Sequence, residues 1–194
     1  MSLWGASDAD ESKPKNLTTA EKKQVYASTR GWVQEPNNVR TGSDNASGQA
    51  EVLVAMRTLT TKLGKADITE IEFVTTSFDK SAGGNIDVLV RFNEAVDVTG
   101  TPQVSITNGN QGSGSGRGPH LANYLSGTAT NELTFRITIA AANAATNAGD
   151  ILVIGANATG LNSGTIKDSG TSVVSTITSS AGIGTAAGTC TVVA

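Results

Sequence analysis

The stretches Ile86-Asp87-Val88-Leu89-Val90-Arg91-Phe92 and Leu133-Thr134-Phe135-Arg136-Ile137-Thr138-Ile139 decide the fold. In the first, Ile86, Val88, Val90 and Phe92 alternate with positions that include Asp87 and Arg91. In the second, Leu133, Phe135, Ile137 and Ile139 alternate with Thr134, Arg136 and Thr138. Successive side chains of a strand point to opposite faces of a sheet, so each stretch puts four apolar groups on one face. Working outward, Ile71 and Phe73 alternate with Glu70 and Glu72, and Val104 and Ile106 follow Pro102. Residues 120–126, 151–154 and 173–177 are shorter candidates of the same kind. About seven or eight strands separated by Gly, Asn and Ser turns predict an all-β, antiparallel β-sandwich of immunoglobulin-like type over residues 66–180. A parallel α/β sheet would need amphipathic crossover helices. Only Ala140 to Asn147 could supply one, and that segment is too small and polar to cover a sheet face.

Upstream, residues 21–64 predict a small β-rich anchoring module. Thr18-Thr19-Ala20-Glu21 has the spacing of a helix capping box, but a strand from Lys23 to Ser28 is the favoured reading, because Val25, Tyr26, Trp32 and Val33 are good β formers around a turn at Arg30-Gly31. Pro36 closes the second segment, residues 37–50 form a Gly-, Asn- and Ser-bearing loop, and Glu51 to Leu59 is a further strand. Trp32 is expected as the core anchor of this small sheet. Residues 1–20 lack a sustained apolar period and are predicted to be an extended arm that becomes ordered when neighbouring subunits capture it. Residues 181–194 form a C-terminal tail within a stretch, 169–194, that has no charged side chain.

The composition excludes several function classes. Lys and Arg number 14 against 17 Asp and Glu, a net charge of -3, so no basic field would draw nucleic acid. The longest apolar runs, such as Ile151-Leu152-Val153-Ile154, fall far short of a membrane helix, and the N-terminus lacks a basic-then-apolar signal layout, so a soluble protein is expected. Cys190 is the only cysteine and His120 the only histidine, which excludes an intrachain disulfide and leaves too few ligands for a structural zinc site. No Ser, Cys or acid sits at a telling spacing from His120, so no catalytic residues, metal or cofactor are assigned. Gly109 to Gly118 is Gly-rich but lacks the Gly-Lys-Ser/Thr of a phosphate loop, and it reads as a connection carrying a solvated Arg117. Asp79, Asp97, Asp150 and Asp168 lie near strand ends; without Asp-x-Asp-x-Asp spacing they read as turn formers more readily than as calcium ligands. The sequons at Asn16, Asn45 and Asn157 read as turn chemistry, and Cys190 as a small buried hydrophobe.

Two sets of motifs carry resemblances. Val90-Arg91-Phe92-Asn93-Glu94-Ala95-Val96, Gly100-Thr101-Pro102-Gln103-Val104-Ser105-Ile106, Tyr124-Leu125-Ser126-Gly127, Asn131-Glu132-Leu133-Thr134-Phe135 and Gly164-Thr165-Ile166-Lys167-Asp168 resemble bacterial Ig-like repeats of the cyanobacterial swimming-protein and adhesin type. That family usually continues with Ala-Gly-Asn where this chain has Ser169-Gly170-Thr171, which leaves an ion or turn role for Asp168 open. Met1-Ser2-Leu3-Trp4-Gly5, Val25-Tyr26-Ala27-Ser28-Thr29-Arg30-Gly31-Trp32 and Glu51-Val52-Leu53-Val54-Ala55 resemble the N-termini of virion structural proteins of marine tailed phages, the cyanophage-like myoviruses. Together the resemblances imply a bacteriophage virion structural protein, expected as a capsid decoration or cement protein. The major capsid protein or other virion subunits would be its partners, with self-association in a symmetric assembly. Trp4, Leu17, Val25 and Arg117 are the candidate partner-binding residues. A tail, neck or baseplate accessory role is the first alternative, and a carbohydrate-binding module reading a host-surface glycan the second.

Overall fold

A computed structural model describes residues 14, 16–36, 38, 45, 47–61, 63–110, 118–141 and 146–193. The greater part of the expected arm, Trp4 included, and Arg117 in the Gly-rich connection lie outside the described residues.

The chain is all-β and sandwich-like. Helix α1 (Thr19–Lys23) precedes β1 (Val25–Ser28), so the favoured strand holds only from Val25, while Lys23 and the last two residues of the expected extended arm, Thr19 and Ala20, are helical. The capping box explains the helix: the Glu21 amide donates to Thr18 Oγ1, and the Glu21 carboxylate accepts from the Thr18 amide. A two-residue turn, Thr29-Arg30, leads to β2 (Gly31–Gln34), which pairs antiparallel with β1 and with β3 (Glu51–Ala55). Gly31 is required where β2 begins. Its φ is 125°, and a Cβ there would lie 2.0 Å from the Val54 carbonyl oxygen. The strand expected over Glu51–Leu59 stops at Ala55, and Leu59 instead opens a 3-10 turn over Leu59–Thr61 that drops it into the module's core. That core comprises Val25, Ala27, Trp32, Leu59 and Leu63, with Leu17, Leu53, Val54 and Met56 packed against it, and Trp32 is its anchor as expected.

The sandwich is organised around β6 (Gly84–Thr99). On one side β6 pairs with β4 (Ile68–Phe73) along its first half and with β11 (Thr165–Asp168) along its last turns. On the other it pairs with β9 (Thr130–Ile139). From β9 the strand order continues through β8 (His120–Ser126), β7 (Gln103–Asn108), β10 (Ile151–Gly160) and β12 (Cys190–Val193) to β5 (Ser77–Asp79). Residues 74–76 tie β5 back to β4, so the two ends of this path are held together and the sheet folds over on one face. That face carries the main core: Ile71, Ile86, Val88, Val90, Phe92, Val104, Ile106, Leu133, Phe135 and Leu152 are all at most 1% exposed.

Three expectations need correction. The pairing is not wholly antiparallel, because β12 runs parallel to β5, and β1 meets β6 in a parallel pairing at Ala27 and Glu94. Residues 173–177 form no strand. Their backbone groups are shared between two neighbours, the Ser175 amide going to Ile166 and the Thr176 amide to Ala66, while Val173 and Val174 stay exposed. Of the residues assigned to a separate tail, 181–194, the described ones, 181–193, belong to the sandwich: α2 (Ala181–Ala186) lies on β10, and β12 inserts Cys190 and Val192 into the core. Uncharged small residues make this insertion feasible; a Cβ on Gly184 would sit 2.4 Å from the Ile154 carbonyl oxygen.

Candidate protein-binding edge and the joint between the modules

Among the described residues the small N-terminal sheet ends on β3. Among the described residues β3 pairs with β2 alone, and Val52 on it is 41% exposed. An unpaired strand presents a row of backbone donors and acceptors that another chain can extend. A second surface lies on the sandwich. The outward positions of β8, β7, β10 and β12 alternate with the buried Ala122, Ile106, Leu152 and Val192, and they carry Leu121, Asn123, Ser105, Thr107, Ile151, Val153, Thr191 and Val193, all uncharged. Leu121, Leu125, Ile151 and Val193 are exposed there.

Leu17 and Val25 are placed otherwise than their expected role requires. Val25 is 1% exposed within the module's core and Leu17 packs half-buried against it, so their apolar surface is already used inside the chain. The exposed apolar side chain on this module's strands is Val52 of β3.

The module meets the sandwich through a charged joint. Arg91, projecting from the outer face of β6, donates to Glu132 Oε1 at 2.6 Å and to Glu70 Oε2 and Glu72 Oε2, each at 2.9 Å. Lys23 at the end of α1 pairs with Glu70, whose side chain is 5% exposed. Burial alone would lower the Arg91 pKa, but the Glu132 charge and the hydrogen bonds Arg91 donates to Glu132, Glu70 and Glu72 outweigh it and hold the guanidinium firmly charged. Beside this cluster Asn131 Nδ2 donates to Glu35 Oε1 at 2.7 Å across the joint. Burial pushes the Glu35 carboxyl up to about 7; the Asn131 hydrogen bond and Arg91 oppose this, and the charge of Glu132 and a hydrogen bond with it reinforce it. Burial also raises the Tyr26 phenol, with Glu35 adding to the effect. A cleft of about 240 Å³ opens farther along the joint, lined by Tyr26, Ser28, Thr60, Ala95, Ser169 and Gly170.

The joint was not legible in the sequence. Glu70, Glu72 and Arg91 read as the solvated face of alternating strands, and the approach of Lys23 at the end of α1 and of Glu35 beyond β2 brings the module against this cluster. The spacing of Glu70 and Glu72 opposite Arg91 is the one available signal, and it needs the β4–β6 register to be seen.

The remaining candidates behave as structural groups. Asp168 Oδ1 accepts from the amides of Gly170 and Thr171, both at 2.7 Å, Asp79 Oδ1 from Ser81 and Ala82, and Asp150 Oδ2 from Asn147, all turn contacts. Asp97 accepts from the Ser169 hydroxyl. His120 opens β8 with 6% exposure, and burial lowers its pKa against the opposing charge of Asp150. Cys190 is buried in the core, which pushes its thiol up to about 11. Among the described residues no three His, Cys, Asp or Glu side chains gather to hold a metal ion, and no helix is long and apolar enough to cross a membrane. No family model, curated protein or solved structure matches this chain.

Proposed function

We propose that this chain is a structural protein of a bacteriophage virion, a decoration or cement subunit that attaches to the head shell through its N-terminal module. The observation that carries the reading is the edge of β3, which among the described residues pairs on one side only, set on a module with its own core at one side of the sandwich. A protein whose task is attachment needs such a docking element on a rigid support. Strand addition at β3 would supply main-chain hydrogen bonds, and repetition over a shell would supply avidity. The uncharged outer face of β8, β7, β10 and β12 suits packing against neighbouring subunits, because uncharged groups bring no unpaired charge into an interface. The motif resemblances at Met1–Gly5 and Val25–Trp32 point to the head or tail of a tailed phage as the setting. A tail, neck or baseplate position uses the same surfaces.

The test is reconstitution onto particles stripped of this subunit. Val52→Lys places a charge on an exposed edge position and should leave the fold intact while reducing copies per particle at least tenfold, since edge charges oppose strand addition. Occupancy equal to wild type would overturn attachment through β3. Removal of residues 1–13 is expected to abolish incorporation as well. A carbohydrate-binding role would instead appear as retention of the full chain on a glycan array.

A further inference from the structure

We infer that the N-terminal module is an exchangeable docking element: the socket on β6 that seats it also fits the module of a second copy of this chain, so neighbouring copies link by trading modules. The socket is a wide bulge. Arg91 pairs with Glu132 and Val96 with Thr130, so residues 92–95 of β6 stand against 131 alone on β9. Where the β6–β9 ladder is interrupted in this way, Glu94 takes Ala27 of β1 as a parallel partner. A bulge ends local pairing and re-aims the strand, here toward the module.

Around this point the joint is polar. Lys23 pairs with Glu70, and Asn131 Nδ2 donates to Glu35 Oε1 at 2.7 Å. The buried apolar side chains fall into two clusters with no member in common, and a cleft of about 240 Å³ stays open along the seam. Parting the two therefore leaves the sandwich core closed. The connection is also short: Leu63 belongs to the module's core and Ala66 to the sandwich's, with only Gly64 and Lys65 between them. Short connections between separable elements are where exchange between copies occurs.

A second copy is the occupant that fits, because the module seated there already displays the match. Between two copies, Lys23 meets Glu70, Glu35 meets Asn131 and Ala27 meets Glu94 as they do within one chain, and only the hinge changes course. The module's own core is too small to stand alone, so it needs a sandwich, though not its own. Three steps of extended chain span about 10 Å, so modules are traded only between abutting sandwiches. Such a tether holds the module at an effective concentration on the order of millimolar in its own socket, and trading competes only where copies are crowded to that level, as on a repeating surface. This deepens the reading of the chain as a virion subunit by naming a second copy as partner, while it rests on the joint and not on β3.

Disulfide trapping in the full-length chain tests the inference. Ala27 and Glu94 are ladder neighbours, about 5 Å apart, within the span a disulfide bridges, and the native Cys190 is buried away from them in the core. With Ala27→Cys and Glu94→Cys on one chain, mild oxidation should close the bond within that chain; failure to form it would mean that the module does not sit in the socket, and would overturn the inference. With the two replacements on separate chains, one of them lengthened by a tag, only traded modules bring the thiols together. Mixing at about 1 mM should link at least about tenfold more of the chain into heterodimer than mixing at about 10 μM, while tagged and untagged Glu94→Cys chains mixed together should link none. No heterodimer at about 1 mM, or a yield no greater than that of the Glu94→Cys mixture, would overturn it. Glu35→Cys with Asn131→Cys, bridged by a short bifunctional maleimide, repeats the experiment at the second contact if the first pair folds poorly. No particle takes part, so this result is separate from the outcome of the reconstitution test.

Discussion

Arg91 shows how one side chain changes meaning between sequence and structure. Its alternation with Val90 and Phe92 places it on the outer face of β6, where an arginine is ordinarily solvated. Here it is 14% exposed and holds three carboxylates. Replacing it by methionine leaves Glu70, itself 5% exposed, with Lys23 as its remaining ion-pair partner. Removing one member of a buried ionic group costs about 3 kcal/mol, because the partner's charge stays desolvated. Glu72→Gln at the same cluster should cost under about 1 kcal/mol, since that carboxylate is half-exposed and water replaces the lost bond. Urea denaturation of the two variants measures the difference; equal losses would mean that the cluster is screened as a surface pair.

At the scale of elements, β12 is the least anticipated member of the sheet. Val192 and Cys190 pack in the core, and β12 joins β10 to β5 and so holds the folded-over end of the sheet in place. Truncation after Gly188 would remove both buried side chains and expose two strand edges. Each large-to-small loss in a core costs about 2–5 kcal/mol, and total stabilities are only about 5–15 kcal/mol. The truncated chain should therefore lose cooperative thermal unfolding, read by circular dichroism. Retention of a sharp transition would show β12 to be an appendage. The neighbouring stretch 173–177 makes the opposite point: it has the valines and isoleucine of a strand, yet its backbone bonds are divided between residue 66 and β11, and β-propensity gives way to where the partners lie.

For the whole molecule, two cores of unequal size meet along one joint. The N-terminal core rests on Val25, Ala27, Trp32, Leu59 and Leu63, too little apolar burial for a module of this length to fold alone, since chains below about 40–60 residues are marginal without staples. A fragment of residues 14–64 should lack the near-ultraviolet circular dichroism of an immobilised Trp32, while residues 66–194 should fold unaided; an ordered Trp32 signal from the short fragment would show the module to be autonomous. The all-β class, the inward stripes of β6 and β9 and the anchoring role of Trp32 are legible in the sequence by itself, because each rests on local periodicity; the capping box of α1 is visible too, but the β formers after it tip the reading to a strand. Tertiary structure alone decided which outward faces are covered. It turned Glu35, Glu70, Arg91 and Glu132 from solvated positions into a joint, drew the uncharged C-terminal strand into the sheet, and left β3 paired on one side only among the described residues. The physical reason is that alternation states which side chains share a face, while the energy of a charged group depends on what lies opposite that face, and this is fixed by elements distant in the chain.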